Sequence, residues 1–173
     1  MGERLAAAQF LRTVMRFHRH GQGKSEGGRF LAEMGIEARV VTLEDSTKTS
    51  QMAADALGCT VAEIAKSIVF ALGDSPLVVV ISGDKRVDIR KLSAAVGGGV
   101  SKADADWVRE RTGYVIGGVP PFPHDEGVRV LLDASLRRFR KVWAAAGDPN
   151  SVMNISVADI EVALGSEPVD FAQ

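Results

Sequence analysis

The sequence predicts a single α+β domain with a mixed β-sheet flanked by short helices. Three observations carry this expectation. Two apolar runs, Ser67–Leu72 and Leu77–Ser82, flank the turn sequence Gly73-Asp74-Ser75-Pro76. Each run is apolar on both faces, as a central, doubly covered strand must be. Segments with helix start and stop signals are interspersed with these hairpin-like segments, without a regular strand–helix–strand rhythm. Finally, the 173 residues are 46% hydrophobic and 25% charged, enough for one buried core.

The elements follow in chain order. Residues 1–24 carry Arg4, Arg12, Arg16, Arg19 and Lys24 against Glu3, a net +4, leaving −5 on the rest. This segment reads as a basic extension, helical or flexible, outside the domain at 25–173. Arg12 and Arg16 interrupt its apolar residues, so it is not a secretory signal. Ser25 can cap a helix over Arg29–Met34 that Gly35 stops. Ile36–Leu43 alternates like a strand. Asp45-Ser46-Thr47 opens a helix with Met52, Ala53, Ala56 and Leu57 on one face, closed by Gly58. Thr60 and Glu63 have capping-box spacing, which predicts a second short helix to about Lys66.

After the central strand pair, Asp88 caps a helix through Ala95 that Gly97-Gly98-Gly99 ends, and Asp104–Arg111 forms another. The run Thr112–Pro123 is too rich in Gly and Pro for a regular element. Strands are expected at Val128–Leu132, near Phe139–Trp143, and, after the turn Gly147-Asp148-Pro149-Asn150, near Val152–Ile155. Ser156 then caps a last helix, with Asp159 in the capping position.

Composition removes several function classes. The lone Cys59 excludes a disulfide framework and a Cys-rich zinc site. No apolar run approaches the ~20 residues of a membrane-spanning helix, and a cytoplasmic protein is expected. With 21 basic and 22 acidic residues, the chain is not built to coat a duplex. The three histidines, His18, His20 and His124, can hardly supply a convergent metal centre; neither a metal nor an organic cofactor is expected. Gly97-Gly98-Gly99 ends a helix and lacks a following Lys-Ser/Thr, so it is a helix stop and not a phosphate loop.

Four features could carry chemistry. Lys66 places an ammonium where a short helix meets a buried strand; the plain alternative is a snorkelling lysine favoured by the helix dipole. The Gly117-Gly118-Val119-Pro120-Pro121 loop, with Tyr114 before it, lets a backbone approach a ligand and stiffens around it. Its plain alternative is an irregular connection. Cys59, near a helix start, could have a lowered pKa and act as a nucleophile, or be a small residue by a cap. His124 is the histidine that a hydrolytic triad in the domain would need, without a nucleophile-elbow sequence to support it.

Five stretches in order carry a resemblance. They are Ala53–Gly58, Ile64–Phe70 around Lys66, Gly83-Asp84-Lys85-Arg86-Val87-Asp88, Thr112–Phe122 and Leu131–Leu136. Together they resemble the YbaK/EbsC family of prolyl-tRNA-synthetase-associated editing domains, over roughly Arg29–Leu164. The resemblance implies a strongly curved, barrel-like mixed sheet. It implies hydrolysis of the ester joining a wrong amino acid to a tRNA acceptor end. It also implies that Lys66 is the required catalytic residue. Ser67, Tyr114 and the loop Gly117, Gly118, Val119, Pro120 and Pro121 would bind substrate. The expected partners are the aminoacyl-tRNA acceptor end and an aminoacyl-tRNA synthetase.

An aminoacyl ester is already activated, so such an enzyme needs chiefly to position a water and stabilise the oxyanion. Lys66 and loop N–H groups are the candidates, with the terminal ribose hydroxyl assisting. Small Gly, Val and Pro side chains favour a small ester such as alanyl or cysteinyl, with tRNA(Pro) as carrier. Val119 stands where a hydroxyl is frequent in the family, and Val41-Thr42-Leu43 where some relatives carry a tyrosine. Both changes make the pocket less polar. The competing readings are a non-catalytic module that binds tRNA ends or a synthetase, and a hydrolase working through Cys59 or His124.

Overall fold

The computed structural model describes residues 35–43, 49–122, 124 and 127–173. The expected helix over Arg29–Met34, the basic segment 1–24 and the Asp45-Ser46-Thr47 cluster lie outside the described residues. The strands are β1 (Arg39–Thr42), β2 (Ile64–Leu72), β3 (Ser75–Ser82), β4 (Val100–Lys102), β5 (Arg129–Leu132), β6 (Lys141–Ala145) and β7 (Ser151–Ser156). The helices are α1 (Ser50–Leu57), α2 (Ile89–Val96), α3 (Ala105–Thr112) and α4 (Val157–Leu164). Single 3-10 turns occur at Val61–Glu63 and Ala134–Arg138.

The seven strands among the described residues join one mixed sheet in the order β1-β7-β6-β2-β3-β5, with β4 also on β2. The α+β expectation holds. The sheet is open, ending at β1 and β5, so it does not close as a barrel. The hairpin β2–β3 runs in register from Ala65↔Ser82 to Leu72↔Ser75 and forms its centre. Seven of the eight β3 residues are buried, as the two-faced apolar run requires. β3 pairs in parallel with β5, and the start of β2 pairs in parallel with β6.

The side-chain alternation of β2 and β3 separates two cores. Ala65, Val69, Val78 and Val80 face the larger one, with Val119, Phe122, Val142, Met153, Ile155 and Ile160. Phe70, Leu77, Val79 and Ile81 face the smaller one, with Leu92 of α2 and Phe171 from the C-terminal tail. Ile64 packs instead with Ala53 and Ala54 of α1.

Several boundaries differ from the sequence expectation. The helix expected from Thr60 to Lys66 is one 3-10 turn, because Ile64 and Ala65 already pair with Trp143 and Ala144 of β6. Non-local pairing overrides the local helix signal there. α1 takes its cap from Thr49, whose Oγ1 accepts from Met52 N at 3.2 Å, and it buries Ala53 and Ala54 while Met52 is exposed. β1 is shorter than Ile36–Leu43, and β6 begins at Lys141 rather than near Phe139. The expected stops Gly58 and Gly97 adopt left-handed φ at the helix ends, and Gly113 and Gly165, not marked as stops by the sequence reading, do the same.

Candidate active site

The site builds outward from a notch in the edge of β2. On the edge away from β3, β6 pairs with Ile64 and Ala65, and β4 pairs with Phe70–Leu72. Between them, Lys66–Val69 have no strand partner on that edge among the described residues. Lys66 and Ser67 sit at this notch, inside β2 and not at a helix–strand junction, which corrects the sequence expectation for Lys66.

Pleating sends the two side chains to opposite faces. Lys66 shares its face with Ile64 and Ile68, toward the α1 and α2 side. Its Nζ donates to Gly83 O at 3.2 Å and to Lys85 O, two carbonyls of the turn that follows β3. Partial burial lowers the Lys66 pKa, and the Arg86 charge lowers it further, while Asp84 opposes both. The ammonium has three donors, so two carbonyls leave one to aim at a ligand.

Ser67 lies on the other face, between Ala65 and Val69 of the larger core. Its Oγ is buried and has no hydrogen-bond partner. Ser151 Oγ and Asn150 Oδ1 are buried and unpartnered too. Ser151 lies on the side of β7 that also carries the core residues Met153 and Ile155. Orphan buried oxygens are rare, because each lacks the compensation that makes burial tolerable.

The glycine–proline loop is built onto the same core. Val119, Pro120, Pro121 and Gly118 are buried, whereas Gly117 is exposed with φ 89°. Gly118 is packed so tightly on the β6–β7 turn that a Cβ would stand 3.0 Å from Asp148 backbone atoms. Tyr114 is half-buried, packs against the larger core and meets the His124 ring edge-on, with centroids 5.3 Å apart. His124 Nε2 lies 3.1 Å from Pro120 O, so this histidine braces the loop. Gly118 N donates to Val115 O at 2.9 Å, and the prolines have no N–H. That narrows the loop's candidate oxyanion donors to Gly117 and Val119.

Ser67, Tyr114 and the Gly117–Pro121 loop therefore belong to one side of the sheet, and Lys66 to the other, joined through the notch strand. Cys59 is not set up as a nucleophile: partial burial and Glu63 raise its pKa, and it packs against the α1 cluster. Sequence reasoning recognised Gly147–Asn150 only as a turn and did not place it against the loop. It also missed the partners of the turn after β3, where Asp84 meets Arg138 at 2.6 Å. The signal present in the sequence was the polar run Ser82–Arg86 directly after an apolar strand. Among the described residues no cluster of three or more His, Cys, Asp or Glu could hold a metal ion. No helix among them is long and apolar enough to cross a membrane.

Residues 44–162 match the family model described as "aminoacyl-tRNA editing domain". The chain is 34% identical over 125 residues to the uncharacterized protein YwhH of Bacillus subtilis (strain 168), covering 72% of this chain and 80% of that one. It is 26% identical over 147 residues to the multifunctional Ser/Thr-tRNA deacylase ProXp-y of Escherichia coli (strain K12), covering 82% and 87%. A crystal structure described as a candidate trans-editing enzyme for prolyl tRNA synthetase superposes with TM-score 0.75 at 31% identity, over 88% of this chain and 99% of that one.

Proposed function

Because the chain belongs to the aminoacyl-tRNA editing domain family, we propose that it is a trans-acting deacylase that hydrolyses the ester of a mischarged small amino acid on tRNA. The observation that carries this reading is the notch in β2. There an ammonium held by two carbonyls and a buried, unpartnered hydroxyl occupy adjacent residues, Lys66 and Ser67.

The ester carbonyl lies across the notch in this reading. The third Lys66 donor meets the acceptor-end phosphate or the reacting oxygen, and the N–H groups of Gly117 and Val119 stabilise the oxyanion. Ser67 Oγ, Ser151 Oγ and Asn150 Oδ1 offer hydrogen bonds to the aminoacyl group, and the buried Gly118–Pro121 backbone limits its size. The water is positioned rather than activated by a strong base, as an activated ester allows. Alanyl or cysteinyl esters on tRNA(Pro) are the proposed substrates, and an aminoacyl-tRNA synthetase a proposed partner. The basic residues 1–24 add phosphate contacts.

The test is deacylation of tRNAs charged with alanine, cysteine, serine, threonine or proline by the full chain, Lys66→Ala, and a chain lacking residues 1–24. We expect rapid loss of a small ester, slowed at least ~100-fold by Lys66→Ala. The shortened chain is expected to bind tRNA with a weaker salt dependence. No turnover of any ester with tRNA still bound identifies a binding module. Full activity in Lys66→Ala removes Lys66 from the chemistry.

A further inference from the structure

The turn that holds Lys66 is itself held by a second, unassigned constellation. Asp84 lies between Gly83 and Lys85, the two residues whose carbonyls receive Lys66 Nζ. Its carboxylate accepts two bonds from Arg138, Nη2 to Oδ1 at 2.6 Å and Nη1 to Oδ2 at 3.0 Å. This is the bidentate fork geometry in which an arginine fixes a carboxylate's orientation as well as its charge. Ser82 Oγ, fully buried, accepts from Arg138 Nη2 at 2.8 Å and stands 2.8 Å from Asp84 Oδ1.

The guanidinium is not a loose surface charge. Its Nε donates to Ser135 O at 2.8 Å, and its Cζ lies 5.2 Å from the centre of the Phe139 ring. The 3-10 turn Ala134–Arg138 is in turn anchored by Asp133, fully buried, whose Oδ1 accepts from Ser135 N at 2.8 Å. On the far side, Gly83 N donates to Ile64 O at 2.7 Å, and a Cβ on Gly83 would stand 2.2 Å from Val61 O. The turn after β3 is thus fixed from both sides, with the carbonyls of Gly83 and Lys85 facing Lys66.

We infer that Asp84 and Arg138 are positioning residues for the deacylation reaction: the Arg138–Asp84 fork sets the Gly83 and Lys85 carbonyls that aim the Lys66 ammonium at the notch. The inference rests on the proposed role of Lys66. An exposed ion pair with only a structural role contributes little. A clamp that aims a reacting group acts on rate, because a misplacement of ~1 Å can cost ~100-fold.

The experiment measures single-turnover deacylation of the preferred aminoacyl-tRNA by Asp84→Ala, Arg138→Ala, Arg138→Lys, Asp84→Ala/Arg138→Ala and Lys66→Ala, with Tm recorded for each. We expect the two alanine variants to lose ~10- to 100-fold in rate, with half-saturating tRNA within about twofold of the parent. The double variant should be no slower than the worse single one, since the pair acts as a unit. Arg138→Lys, which keeps charge but not the fork, should recover only part of the rate. Parental rates in Asp84→Ala and Arg138→Ala, with Lys66→Ala inactive, overturn the clamp and leave the proposed function standing. So does a rate loss matched by an equal loss of tRNA binding or by a collapse in Tm. A fully active Lys66→Ala overturns the proposed role of Lys66 and the clamp with it.

Discussion

At the residue scale, the proposed chemistry turns on the environments of Lys66, Ser67 and Asp84, and only part of those environments was legible. Lys66 stood out because an ammonium beside an apolar strand is unusual, and Ser67 because it follows Lys66 in the family pattern. Their opposite faces follow from the period of a strand, but only once β2 is known to start at Ile64. Asp84 stands out in the sequence only as part of a motif, since its partner Arg138 lies 54 residues away. That fork has a pH consequence. Hydrogen bonds from Arg138, then Ser82, hold the Asp84 carboxyl down to about 2. A folded pKa below the unfolded value of ~3.9 stabilises the fold above that unfolded value, and the contribution fades as pH falls toward about 2. Acid titration of the parent and Arg138→Ala should therefore show the parent's stability advantage shrinking between roughly pH 4 and pH 2. A constant difference across that window would assign the effect to packing against Phe139 instead.

At the element scale, local chemistry predicted what local chemistry determines. The cap at Asp88, the glycine stops at Gly58 and Gly97 and the β2–β3 hairpin all depend on residues within a few positions of one another, and all are present. Asp88 Oδ1 accepts from Arg90 N at 2.8 Å and Lys91 N at 3.2 Å, meeting two of the N–H groups left over at the start of α2. Asp88→Ala should cost about 1 kcal/mol, read by chemical denaturation, and Asp88→Asn much less. Equal losses in both would place the contribution in charge rather than in the cap. The elements missed or misdrawn are those fixed by distant partners. β4 has only three residues and exists because Val100–Lys102 pair with Phe70–Leu72. The Thr60–Glu63 box is real, with Thr60 N donating to Glu63 Oε2 at 2.9 Å, yet it sustains one turn because the β6 pairing takes over at Ile64.

At the scale of the whole molecule, the sequence could indicate a mixed sheet but not its order. The parallel pairs β2–β6 and β3–β5 join strands far apart in the chain, and hydrophobic pattern alone does not say which strands meet. Nor did it show how the C-terminal tail closes the smaller core. Phe171 is fully buried there with Leu77, Ile81 and Leu92. Its backbone is fixed at both ends: Phe171 N donates to Asp133 Oδ2 and Asp88 N to Phe171 O, each at 2.7 Å. Gln173 N donates to Arg86 O at 3.1 Å. The tail therefore buttresses the segment from Arg86 to Asp88, directly after the turn whose carbonyls hold Lys66. Phe171→Ala removes a large core side chain, a loss of about 3–5 kcal/mol. Phe171→Leu, which refills most of the volume, should lose far less. If the tail also supports the site, hydrogen exchange in Phe171→Ala should rise first at residues 82–88, and deacylation should fall at temperatures well below its Tm. Exchange that rises evenly over the whole sheet would instead make the tail a stabiliser of the fold alone.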